Sequence, residues 1–279
     1  MLFYPLLLGA LAISFPFLSL VGMMIFSGRA ALQGIDVPIR VIAAFFLAPA
    51  ALMLWDHSGM LITALDAILG VGLVCLIFLL ALKARLPFGT AFTLGVLAII
   101  AYGLVRVLAW GEQLSAMHIE ALEVAMDQMR QMLDKTMLQT TVDLMGSFWP
   151  ASWMLSQIVA LFAGYLIFQR SMGIGFRWGD QRFPSAYNFL LMAILPVYFI
   201  PTARMLFING FIALCVIPFI QGLGLLIDRL GRIVQNRLIR IFVLVFLLIN
   251  IVSYALITLF GFADLWWNFR NIKTGGNPA

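Results

Sequence analysis

The sequence predicts an all-α polytopic membrane protein, a bundle of about eight transmembrane helices with one amphipathic helical segment outside the membrane. Three observations lead there. Of 279 residues, 63% are hydrophobic and only 10% are charged, whereas a soluble domain carries about 25% charged residues. The apolar residues gather in long runs that lack β-barrel alternation, and lipid requires every backbone polar group to pair internally, which makes helices the default. Lysine and arginine fall mostly between those runs, where they orient a membrane protein. The net charge of +5 is therefore no nucleic-acid footprint.

Eight runs qualify, at about 3–26, 38–55, 60–82, 90–110, 150–169, 187–201, 205–227 and 238–262, and a crossing helix needs roughly 20 apolar residues. The first run has no basic residue before it and exceeds a signal-peptide core, so it reads as a retained first span. The sixth is short and carries Pro196 and Pro201, which predicts a tilted, broken or partial crossing. No internal repeat stands out. Residues 1–279 read as a single integral membrane domain. Cys75 and Cys215 both lie inside apolar runs and read as small buried hydrophobes, not as a disulfide or a thiolate site.

Orientation follows from the basic residues. With the N-terminus outside, Arg29, Arg40, Lys83, Arg85, Arg170, Arg177, Arg182, Arg229, Arg232, Arg237 and Arg240 face inward. Arg130, Lys135, Arg204, Arg270 and Lys273 then face outward, and Arg106 lies within a span. The excess on the inner side favours both termini outside.

Charges at bilayer depth are the most informative polar residues, because each costs roughly 2.5–3.5 kcal/mol even on insertion scales and must face a partner or a wet cavity. Asp66 and Arg106 lie in the third and fourth runs at matching depths below the outer surface. An ion pair between them either locks adjacent helices or forms a polar wall of an outward-opening pocket, with Arg106 available to an anionic ligand. Snorkelling of Arg106 to the surface is the other plain alternative. Asn209, Asn250 and the Ser253–Tyr254 pair are further candidates for lining that pocket, or for simple helix packing. Gln221 reads as an interhelical hydrogen bond, as side-chain amides between membrane helices commonly do.

The segment 112–145 is the one sizeable polar insertion. Leu122, Met126, Met129, Leu133 and Met137 recur on one helical face, which predicts a helix that lies on the membrane, caps the bundle or meets a partner. Met126, Met129 and Met132 also form a Met-x-x-Met-x-x-Met run, a weak Cu(I) motif. Met132 falls towards the edge of the stripe, about 100° from Leu133, so an apolar stripe is the better reading. No catalytic constellation is legible. His57 and His118 lie in separate segments without metal-ligand spacing, and there is neither a Gly-x-Ser-x-Gly nucleophile motif nor a phosphate-cradling glycine loop. The chain reads as a non-enzyme without metal or cofactor. Arg229, Arg232, Arg237 and Arg240 read as inner-side retention in preference to an anionic lipid surface or a partner's acidic surface.

The stretch FGFADLWWNFR, Phe260 to Arg270, closes the last run. Indole rings favour the lipid headgroup level, so Trp266, Trp267, Phe269 and Arg270, with Asp264, read first as an interface anchor.

The tract NGFIALCVIPFIQGLGLLIDRLGR (Asn209 to Arg232), the entry RWGDQRFP (Arg177 to Pro184) and the closing match Ala263, Asp264, Trp266, Phe269 and Arg270 resemble the YybS-like bacterial integral membrane proteins. The resemblance is best over 170–273. It implies residence in the bacterial cytoplasmic (inner) membrane. Through that family's remote grouping with S-components of energy-coupling-factor transporters, it implies a substrate-binding transport subunit docking on an ATPase module. A scaffold or assembly factor that binds a membrane protein and no small molecule is the alternative.

Overall fold

The computed structural model describes residues 3–33, 38–55, 61–127, 135–176, 178 and 181–270, and among these the secondary structure is helical, without a strand. Four helical segments are long and apolar enough to cross a membrane: Leu61–Lys83, Phe88–Val124, Val142–Ser171 and Pro201–Ile233. A fifth is added if the bent pair near the C-terminus counts as one. The runs expected at 38–55 and 187–201 form shorter apolar helices, α3 (Pro38–Trp55) and α8 (Ala186–Ile194). After α8 the chain continues as 3-10 turns at Leu195–Phe199 and Pro201–Ala203, where the prolines cannot extend an α-helical ladder.

The run at 3–26 is not one straight span. It folds back at Phe15–Pro16 into α1 (Phe3–Ser14) and α2 (Pro16–Leu32). Pro16 has no N–H to donate and its ring crowds the preceding turn, which breaks the helix there. The two arms are then held side by side. The Ser19 hydroxyl donates to the Leu8 carbonyl at 2.7 Å, and the Tyr4 and Phe26 rings lie 6.1 Å apart. With 12 and 17 residues, the arms measure about 18 and 26 Å, against a hydrocarbon core of about 30 Å.

The central helices follow. Leu61–Lys83 is built from α4 (Leu61–Leu65), a π-helical stretch Asp66–Leu73 and α5 (Val74–Lys83). The next two, α6 (Phe88–Asp127) and α7 (Lys135–Ser171), have 40 and 37 residues, about 60 and 55 Å. Both continue past a bilayer's thickness, and α6 kinks at Trp110 (φ −135°, ψ 18°). The insertion expected at 112–145 therefore begins and ends as extensions of these two helices. Of its apolar stripe, only Leu122 has a described side chain. Met126, Met129, Leu133 and Met137 lie outside the described side chains, as do Met132 and His57. Buried Phe45, Phe78, Phe92, Ile99, Met154, Leu161 and Ile217 form the shared core.

The last run, 238–262, is bent as well. A break at Asn250 turns α11 (Arg237–Ile249) by 104° from the helix that follows, α12 (Ile251–Trp267). Asn236 and Asn250 cap α11 and α12 by accepting from the Leu238 and Val252 amides, at 2.9 Å each. Each thereby satisfies an otherwise unpaired donor of a new helix start. α12 packs on α10 (Val216–Ile233), which continues α9 (Arg204–Leu214), through the paired glycines Gly222 and Gly261. A side chain on either would overlap the carbonyl of Ile257 or Pro218.

These two bends correct the expected orientation. The Lys83–Arg85 turn, the end of α7 at Arg170 and the segment through Arg182 share one basic end, since Phe88 stacks on Tyr165 at 4.0 Å and Gly89 abuts the Arg182 carbonyl. Gly28 reaches Ser171 there, and Tyr4 is beside Phe26, so α1 begins at this end. Arg270 bonds to Trp178 and Gln181 and lies there too. The two described ends of the chain thus sit with the basic loops, not opposite them, because each bent run returns the chain where an unbroken helix would carry it across.

Candidate functional site

Asp66 and Arg106 meet as a two-toothed ion pair, with Arg106 Nε 2.8 Å from Asp66 Oδ1 and Nη2 2.9 Å from Oδ2. Both are buried. Asp66 opens the π-helical stretch, where i→i+5 bonding widens the turn, a geometry frequent at functional positions. On α6, Tyr102 and Arg106 are four residues apart and share a face, and the Tyr102 hydroxyl donates to Asp66 Oδ1 at 2.7 Å. On α7, Trp149 and Trp153 have the same spacing, and their rings lie 5.6 and 4.8 Å from the Arg106 guanidinium carbon. A cation over an indole face is attracted by the ring quadrupole, more strongly when desolvated. Three helices are tied through one buried charge pair. Tyr102, Trp149 and Trp153 are the site residues that sequence reasoning passed over, although the repeated four-residue spacing was there to be seen.

Asn209 grips the same stretch of α7 without joining the ion pair. Pro150 lies inside α7, where a proline removes one hydrogen bond and its ring strains the ladder around it. The Asn209 amide enters that gap. Its Oδ1 accepts from the Ala151 N–H at 3.0 Å, and its Nδ2 donates to the Ser147 carbonyl at 3.1 Å. Ala151 and Ser147 are the donor and acceptor that an unbroken helix would join. The second amide proton goes to the Met205 carbonyl at 2.9 Å, so both donors of Asn209 are spent on backbone.

Asn250 and Tyr254 are not brought to Asp66 and Arg106. Asn250 is the cap at the α11–α12 bend, and exposed Tyr254 stacks on Phe219 at 5.4 Å. Ser253 beside it is buried. His118 lies 6.4 Å from Trp149, and among the described residues no three His, Cys, Asp or Glu side chains gather as a metal site.

The closing segment divides into two groups. Trp266, Trp267 and Phe269 present exposed rings, whereas Asp264 and Arg270 are buried. Asn268 explains the division. It ends α12 in the left-handed conformation (φ 47°) with its N–H on the Asp264 carbonyl at 2.9 Å, a position asparagine tolerates better than most residues. The chain reverses, and Arg270 returns to Asp264, with Nε 3.1 Å and Nη2 3.0 Å from Oδ2. Gln221 Nε2 donates to the same oxygen at 2.6 Å, while its Oε1 accepts from the Phe183 N–H at 3.3 Å. The Arg270 guanidinium also donates to the Trp178 and Gln181 carbonyls at 3.2 and 2.9 Å. Burial lowers its pKa from the ordinary value, against the pull of the Asp264 carboxylate. Arg270 is a clasp joining α12 to the loop before α8. Nearby, buried Asn188 donates to the Phe262 carbonyl at 3.0 Å.

No protein-family model, no curated protein and no solved structure matches this chain.

Proposed function

We propose that this protein is a multi-pass membrane scaffold or assembly factor, with its basic end towards the cytoplasm and the extensions of α6 and α7 as its contact arm on the other side. The observation that carries the reading is how the buried polar groups are used. Asp66 and Arg106 are matched to one another and clasped by Tyr102 and two indoles, and the Asn209 donors are spent on backbone. Such a polar interior rigidifies a bundle. By contrast, Met117, Val124, Leu144 and Met145 are exposed on the arm. Leu144 lies about 40 Å along α7 from the basic end, beyond a hydrocarbon core of about 30 Å, and Met117 lies past the kink of α6 at Trp110. The excess of basic residues at the opposite end supports the cytoplasmic orientation, and the resemblance to YybS-like proteins supports the bacterial inner membrane. The eight apolar runs all remain in the bilayer on this reading, some as partial or bent entries.

One observation favours the second reading, a substrate-binding subunit resembling the S-components. The guanidinium on Trp149 and Trp153 is a ready platform for an anionic group that displaces Asp66. Purification from native membranes in mild detergent, with mass spectrometry of proteins and metabolites, separates the two. The scaffold reading expects a stoichiometric membrane partner that is lost on Met117→Glu with Leu144→Glu. Recovery of an ATPase module and one metabolite, the metabolite lost on Arg106→Ala, would replace it with the transport reading.

A further inference from the structure

The fold-back of α1 on α2 leaves a groove of about 390 Å³, within the roughly 300–1,000 Å³ of small-molecule sites. We infer that it holds an anionic phospholipid of the cytoplasmic leaflet, with one acyl chain along Leu7, Leu8, Ile25 and Phe26 and the phosphate on Arg29.

Three features select this occupant. The groove is graded in polarity: its walls are apolar towards the hairpin turn, and Arg29 and Gln33 line its open end. Gln33 follows the end of α2, four residues after Arg29, with its N–H 3.2 Å from the Arg29 carbonyl. A partner helix would meet an arginine at one end of an otherwise apolar contact, whereas a phospholipid has the same gradient. Depth agrees as well. The 12 residues of α1 reach about 18 Å, close to one leaflet of a hydrocarbon core about 30 Å thick. The hairpin turn therefore closes the groove near the bilayer midplane. Finally, the open end lies at the basic end of the bundle, where Gly28 abuts Ser171 next to Arg170, and exposed Arg29 faces out there. Anionic lipid is enriched at that surface, and a basic residue near it gains attraction from the surface potential.

The test is native mass spectrometry of the full chain in an uncharged detergent, titrated with phosphatidylglycerol and with phosphatidylcholine of identical acyl chains. The expected result is a first phosphatidylglycerol bound several-fold more tightly than phosphatidylcholine. Arg29→Gln should remove about fivefold of that preference, while Arg85→Gln, at the same end but outside the groove, should remove little. Leu7→Trp should weaken both lipids by filling the apolar wall. Leu7 and Arg29 are exposed, so these variants should keep the parent's melting temperature without added lipid. Equal binding of the two lipids, equal losses in Arg29→Gln and Arg85→Gln, or an unaffected Leu7→Trp would each overturn the inference.

Discussion

Asn209 occupies the hydrogen-bond gap that Pro150 opens in α7, joining the Ala151 N–H and the Ser147 carbonyl through its own amide. The proline and the asparagine are a matched pair on different helices. A break that leaves buried backbone groups unpaired is costly in lipid, and here a side chain from α9 fills it. Asn209→Leu should therefore destabilise the protein by about 1–3 kcal/mol, the range for stranding buried polar partners. Pro150→Ala should lower that cost, because the α7 ladder can then close by itself. A double-mutant cycle read by thermal unfolding in detergent checks this, and strict additivity of the two changes would remove the proposed coupling.

For Asp66 and Arg106 the single and double variants should diverge. Removing one member of a buried pair strands the other charge, at a cost of about 3–5 kcal/mol, whereas replacing both with apolar residues of similar volume is often neutral. Asp66→Leu or Arg106→Met alone should lower the melting temperature sharply, and the double variant should recover most of the loss. If the double variant is as unstable as either single one, the pair contributes through Tyr102 and the tryptophans instead.

Gly222 and Gly261 set the approach of α10 to α12. A methyl group on either meets backbone, not a flexible side chain, so the helices must part. Gly222→Ala and Gly261→Ala should each cost about 1–3 kcal/mol, the usual scale of overpacking. Cross-linking of cysteines placed at Phe219 and Tyr254 reports the separation, and unchanged cross-linking rates in both variants would contradict this account.

Arg270 reaches one carboxylate and two backbone carbonyls at once, which a planar guanidinium with five donors does and a single ammonium does not. Arg270→Gln should destabilise by about 3–5 kcal/mol through the stranded Asp264. Arg270→Lys should restore the charge and only part of the stability. Hydrogen exchange around Gln181 and Phe183 is the measurement, and full recovery by lysine would mean that charge alone matters there.

Much of this could be read from the chain. Helical secondary structure and a membrane class follow from transfer energies summed over each run, which depend on composition alone. The Asp66–Arg106 pair was legible because two charges at one depth in lipid have few ways to be satisfied, and Gln221 was legible as a bond between helices for a similar reason. What only the tertiary structure decided depends on direction. A run of apolar residues has the same hydropathy whether it crosses straight or turns back at Pro16 or Asn250, so the side on which Arg270 emerges was beyond the sequence. The burial of Asp264 and Arg270 depended on one left-handed residue, Asn268, reversing the chain beneath exposed tryptophans. Asn209 was open to either reading for as long as its partner could be any polar group in the bundle. The groups it bonds to follow from α9 packing against the flaw in α7, because a hydrogen-bonding side chain finds its partners within about 3 Å.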